Sequence, residues 1–268
     1  TDVYRSLQGN ISAFLPFIMK PLPVYDRLGD TLEPLQLDTS QLDISTQVDV
    51  LLDLLTFTKD KPRDILQPLL SGIVKGVPLV VINGPDDVTQ RTRFVQGLMA
   101  LLPSSTRFGV TFATYLTDEA SAAGISCQIA FREGRTPEGV AVYDWATGSV
   151  SGNVIVEDYS RFIVSQLRLD AALAIEQAEA LTPVAGWRYR SGESLANALA
   201  YASKRSKYDR ALENNMPVQV DEVSRILSED VTLDESLKTM YAQHLLTMSL
   251  ALDNIRHIDP LADVFVQM

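Results

Sequence analysis

The chain holds a single cysteine, Cys127, among 268 residues. One thiol can neither close an internal disulfide nor complete a zinc cluster, and secreted chains of this size often carry cysteine pairs, so the expected compartment is a reducing cytoplasm. Histidine is almost as scarce: His244 and His257 are the two, with no HExxH-like spacing to suggest a metal. Positive charge is also in deficit, with 23 Lys and Arg against 34 Asp and Glu and a net charge of -11. That sign repels phosphate backbones and anionic bilayers, which argues against nucleic acid and membrane as general partners. No apolar run reaches the roughly 20 residues of a bilayer span, and the N-terminus lacks the basic-then-apolar layout of a signal peptide.

What is present describes an architecture. The length suffices for one large or two small domains with a sizeable core. The sequence opens Thr1-Asp2-Val3 without an initiator methionine, and the expectation is a trimmed chain or one piece of a longer polypeptide. Residues 1–45 carry Pro16, Pro21, Pro23 and Pro34, which disfavour long regular elements. Ser45 or Thr46 can cap a helix bearing Val48, Leu51, Leu52 and Leu55. A second helix is expected from Pro62 to about Gly76, kinked at Pro68. Leu79 to Ile82 reads as a strand, and Val88, Val95, Met99 and Leu102 form the stripe of a helix that Pro103 ends. Strands follow over 108–116, 125–131, 140–145 and 150–156, and turn residues between them suggest hairpins after one crossover. From about Tyr159 the pattern is helical, with DAALAIEQAEAL from Asp170 the strongest helix former and further helices over 193–206, 221–227 and 234–256. The predicted fold class is α/β, a mixed sheet with flanking helices, followed by an all-helical portion. Its parts are a loop-rich segment 1–45, a mixed α/β domain 46–156 and a helical domain 157–268.

The turn in VVINGPDD, from Val80, has the layout of a phosphate-binding loop but neither its second glycine nor its lysine. Asp86 and Asp87 occupy the place where backbone amides would meet a phosphate, so the turn is expected to be structural. In that reading Asn83 or Gly84 caps the following helix and Pro85 takes its first position. Cys127 alternates with Ile125, Ile129 and Phe131, which predicts a buried thiol on the core face of a strand. His244 lies on the stripe Leu237, Met240, Tyr241, Leu245, Met248 and Leu252, the expected core face of the last long helix. Leu246 and Leu250 fall off that stripe and are the candidate contacts for a protein partner or a second copy of the chain. Against the acidic background stands one basic cluster with interleaved tyrosines: Arg188, Arg190, Lys204, Arg205, Lys207 and Arg210. It is a candidate anion patch, set against a solvated helix end. No GxSxG elbow and no spaced carboxylate pair supplies a catalytic residue, and no cofactor is implied.

The stretch FVQGLMALLPSSTRFGVTFATYLTD, from Phe94, resembles a recurrent segment of bacterial GTPase-associated proteins found in conflict and defence gene clusters. In those proteins a helix ending Leu-Leu-Pro precedes an arginine and a strand reading Thr-Phe-x-Thr-Tyr. The corresponding residues are Leu101, Leu102, Pro103, Arg107, Thr111, Phe112, Thr114 and Tyr115. The resemblance implies a cytoplasmic, non-catalytic module working beside a separate GTPase, and it transfers no catalytic residue. The expected function is a non-enzymatic interaction or scaffold module. The rival is an enzyme or small-ligand binder with its site at the strand ends near Asn83, Thr114 and Tyr115, where open α/β sheets place crevices.

Overall fold

A computed structural model describes Leu7, residues 44–118, Ala120, Gly124 and residues 126–133, 136–251 and 261–262. The loop-rich segment expected over 1–45 lies almost wholly outside the described residues. The chain divides into two compact units, Thr1–Asn197 and Ala198–Met268.

The first unit is built on a five-stranded mixed sheet in the order β2-β3-β1-β4-β5. Its strands are β1 (Leu79–Ile82), β2 (Phe112–Leu116), β3 (Ile129–Arg132), β4 (Ala141–Asp144) and β5 (Ser149–Gly152). The hairpins expected from turn spacing are replaced by parallel pairing at β2/β3, β3/β1 and β1/β4, and only β4/β5 is antiparallel. The physical reason lies in the connections. Parallel neighbours need a crossover of about a dozen residues, which the 117–128 segment provides, and β1, β3 and β4 are short apolar runs buried as central parallel strands are. β2 is shorter than expected because Ser104–Gly109 forms a 3-10 turn ahead of it.

Helices surround the sheet: α1 (Ile44–Phe57), α2 (Gln67–Lys75), α3 (Val88–Ala100), α4 (Asp158–Leu167), α5 (Ala171–Ala180) and α6 (Thr182–Arg190). Pro62–Leu66 winds as a π-helical turn into α2, so the kink expected at Pro68 becomes a change of helix type. Gly76 ends α2 in the left-handed conformation, φ 72°. The α4–α6 helices, grouped by sequence with the C-terminal helical portion, belong to this first unit, where α4 packs on α2, α5 on α1 and α6 on the 3-10 turn. Among these, α6 has no counterpart in the sequence reading.

In-register Val81, Phe131 and Tyr143 share one sheet face. There Phe94 of α3 stacks on Tyr143 with centroids 5.6 Å apart and meets Phe131 edge-on at 5.9 Å, while Trp145 touches all three rings. Pairs of this kind contribute about 0.5–1.5 kcal/mol each beyond area burial. Arg107 closes the C-terminal end of α3. Its Nε donates to Leu102 O at 3.0 Å and its guanidinium pairs with Glu179 of α5. The arginine of the Leu-Leu-Pro segment is therefore a buried helix stop, supplying donors to carbonyls that Pro103 leaves without helical partners.

The second unit is all helical: α7, which spans Leu195–Glu213 and enters the unit at Ala198, α8 (Val220–Glu229) and α9 (Glu235–Ala251). The 252–256 end expected for the last helix lies outside the described residues. Val223, Ile226, Tyr241 and Leu245 centre its core. On α9, Tyr241 and Leu245 are buried with Leu237 and Met240 packed beside them, as the stripe required, whereas Leu246 and Leu250 are exposed at 40% and 75%.

Tyr143 donates to Phe57 O at 2.5 Å, and burial, helped by the charge of Asp144, pushes its phenol up to about 12. A raised folded pKa keeps its full stabilisation below the unfolded value near 10 and loses it as pH climbs through about 12. Stability should therefore fall between those pH values, and Tyr143→Phe should make that fall shallower. Urea titrations at closely spaced alkaline pH will read the slope; an unchanged slope would contradict the assignment.

Candidate functional site

The C-terminal ends of β1, β2 and β3 enclose a cleft of about 390 Å³. Neighbouring central strands leave in opposite directions here, β1 running through α3 to β2 and β3 through the 133–140 connection to β4, the arrangement that opens a crevice in parallel sheets. Its walls are Ile82, Asn83, Gly84, Arg91, Tyr115, Phe131, Arg132 and Glu133, with Val81 beneath.

The β1–α3 turn does not cap as expected. Asp87, not Asn83 or Gly84, is the N-cap, its carboxylate accepting from Thr89 N at 2.8 Å, and α3 starts only at Val88. Asn83 lies too far ahead of Val88 to cap it, and its Nδ2 donates instead to Asp144 Oδ1 at 3.0 Å, a bond that draws the Asp144 carboxyl below its usual range. Its backbone is left-handed, φ 52°, a conformation asparagine tolerates. Gly84 runs so close to the sheet that a Cβ would stand 2.9 Å from Phe131 Cδ1. A side chain there would have to displace a ring locked in the aromatic cluster.

The buried Arg91, on the first turn of α3, ties this loop to β2. Its Nε donates to Pro85 O at 2.5 Å and its Nη1 to Thr114 O at 2.7 Å, while the guanidinium lies 5.6 Å from the Phe131 ring centroid. The nearest carboxylate, Asp86, is 4.0 Å away and fully exposed, so the charge is met mainly by neutral carbonyls. Arg132, the last residue of β3, is also buried. Its Nη2 donates to Asp118 Oδ1 at 2.5 Å, but its Nε–H is enclosed without a hydrogen-bond partner among the described residues.

Of the strand-end residues named from sequence, Asn83 and Tyr115 line the cleft, and Thr114 contributes its carbonyl to Arg91. Sequence reasoning missed Arg91 and Arg132. The signal available was a charged residue closing the apolar run IAFR, and another four residues into a helix whose flanking positions are core.

The basic cluster is distributed differently from the expectation. Arg205 is not a surface cation. It is 2% exposed, with Nε bonded to Asp209 Oδ1 at 2.8 Å and Tyr241 OH at 3.1 Å and Nη1 to Asp230 Oδ2 at 2.5 Å, because a guanidinium entering this core must bring carboxylates with it. Arg188 pairs with Glu193 at 3.1 Å and Lys204 with Glu222 at 2.8 Å, while Arg190, Lys207 and Arg210 are exposed.

Cys127 precedes β3 rather than lying within it and is half-buried, its Sγ donating to Ile129 O at 3.3 Å. Ile125 lies outside the described residues. Burial pushes the Cys127 thiol up, the direction that suppresses a nucleophilic thiolate. His244 Nε2 is 3.3 Å from Val218 O, and His257 lies outside the described residues. Among the described residues no His, Cys, Asp and Glu cluster could hold a metal ion, and no helix is long and apolar enough to cross a membrane. Comparison with known proteins finds no matching family model, curated protein or solved structure.

Two measurements follow from this geometry. Arg91→Met keeps the aliphatic stem but strips two carbonyls of a charged donor, and should lower stability by about 2–4 kcal/mol in urea unfolding. A loss under about 0.5 kcal/mol would show that the bridge is not structural. ATP and GTP with Mg²⁺ should give no calorimetric signal, since Asp87 already occupies the Thr89 amide and the turn has no lysine; micromolar binding would overturn that reading.

Proposed function

We propose that the α/β unit is a non-enzymatic binding module that takes a small molecule at the C-terminal ends of its parallel strands. The observation that carries this reading is the cleft itself: about 390 Å³, lined by apolar Val81 and Phe131 together with polar Asn83, Arg91 and Arg132. Pockets of this size with an apolar floor and a few fixed polar groups are the usual form of small-ligand sites. The non-enzymatic part rests on chemistry. Guanidinium groups such as those of Arg91 and Arg132 bind and orient but do not exchange a proton, and Glu133 has no second carboxylate, imidazole or thiol beside it among the residues that line the cleft. The test is a fragment screen by amide NMR. Shifts should cluster at Val81, Gly84, Tyr115 and Arg132; fragments that bind only elsewhere would defeat the proposal.

A second reading, the interaction or scaffold module of a bacterial cytoplasmic system, is favoured by one observation: Leu246 and Leu250 expose 40% and 75% of their surface one turn apart on α9. A protein partner, including the separate GTPase implied by the resemblance, or a second copy of the chain would cover them. Replacing both by Glu should weaken association while leaving the thermal midpoint within a few degrees. A variant that unfolds, or associates as strongly as the parent, would remove this reading.

A further inference from the structure

We infer that the ligand of the strand-end cleft carries a singly charged carboxylate, received by the Arg132 Nε–H with Arg91 supplying the second positive charge. The inference rests on the small-molecule reading above and adds the chemical class. Among the described residues four arginines are buried, and three have their donors accounted for differently from the fourth. Arg107 turns to carbonyls of the α3 end and to Glu179. Arg205 sits among Asp209, Asp230 and Tyr241. Arg91 donates to Pro85 O and Thr114 O. Of these four, only Arg132 keeps an enclosed Nε–H without an acceptor among the described residues, and it borders the cleft. A buried donor that could bond water in the unfolded chain destabilises the fold when its bond is left unmade, and such an orphan beside a cleft marks a missing acceptor.

Charge and shape narrow the acceptor. A guanidinium pairs best with a planar oxyanion, and charge-assisted bonds are roughly twice as strong as neutral ones. Arg91 is the second cation of the cleft, and its close acceptors are carbonyls that leave its charge uncancelled. Three carboxylates limit how much negative charge can enter: Asp118 holds Arg132, Asp86 is 4.0 Å from Arg91, and Glu133 lines the mouth. A dianionic phosphate would meet all three, whereas one carboxylate balances the positive charge that Arg91 leaves over. Phe131 and the half-exposed Tyr115 give an apolar body a place beside it.

The experiment uses the Arg132 side-chain ¹⁵Nε–¹Hε resonance, assigned by its absence in Arg132→Gln, with three probes of one shape: benzoate, benzamide and phenyl phosphate. Benzoate should shift that resonance saturably with Kd of about 1 mM or below. Benzamide and phenyl phosphate should bind at least about tenfold more weakly, the factor that one charge-assisted bond supplies. Arg132→Gln should abolish the preference for benzoate, read at the Gly84 and Tyr115 amides; should that variant unfold, Arg132→Lys, which retains the charge but not the Nε–H, should lose it about tenfold. Equal binding of benzamide overturns the anionic class while leaving a small-ligand cleft in place. Tighter phenyl phosphate overturns the carboxylate. No shift at the cleft with any probe, together with no fragment found there, removes both this inference and the reading beneath it.

Discussion

The arrangement of the candidate site depends on the guanidinium of Arg91. A strand that passes into a helix through Asn-Gly-Pro has no repeating hydrogen bonds across the turn, and the carbonyl of Pro85 would otherwise lack a buried donor. Arg91 supplies it from one turn into α3 and reaches on to Thr114 O of β2, so one side chain fixes the loop, the helix start and the neighbouring strand together. Asn83 does the corresponding work on the other side, holding the β4 end through Asp144. The loop is pinned at both flanks, and the cleft lies beside it at the strand ends. Gly84 is the closest approach of the loop to Phe131, where the ring leaves no room for a β-carbon.

Buried arginine recurs through the molecule, and the acceptors differ in kind. Arg107 stops a helix by donating to its last carbonyls, Arg205 organises a core by gathering two carboxylates and a phenol, and Arg91 bridges backbone segments. Each pays for its desolvation with several bonds, as an internal charge must. Arg132 has an ion pair to the exposed Asp118 and an enclosed Nε–H with no acceptor among the described residues. That unmade bond, in a residue at the wall of the cleft, is the observation on which the proposed carboxylate ligand rests.

Much of the fold was legible in the sequence because it follows from local rules. β1 begins and ends where its β-branched run does, Gly76 ends α2, Asp170 caps α5, and the stripe of α9 separates Tyr241 and Leu245 from Leu246 and Leu250. Strand pairing was not legible, since turn spacing reports where strands end and not which neighbour they find, and the parallel order arises from crossovers that sequence does not reveal. The cap at Asp87 was missed because the sequence does not show that the helix begins only at Val88, four residues past Gly84, while the Asn83 amide turns to Asp144, sixty-one residues away. The site was half legible. The strand-end rule placed it near Asn83, Thr114 and Tyr115, but an arginine in an acidic sequence reads as a solvated surface group. Only the fold distinguishes Arg91 and Arg132, which are buried, from Arg190 and Lys207, which are not; the same blindness put Arg205 on the surface.

The account stands or falls on whether an anion enters the cleft against Arg132. Crystals of the protein soaked in sodium bromide and recorded at the bromine edge would show this directly, because anomalous scattering locates a halide without reference to its surroundings. The account predicts a bromide peak inside the cleft beside the Arg132 side chain that benzoate displaces. Bromide bound only at exposed cations such as Arg190, Lys207 and Arg210, with the cleft empty, would contradict it.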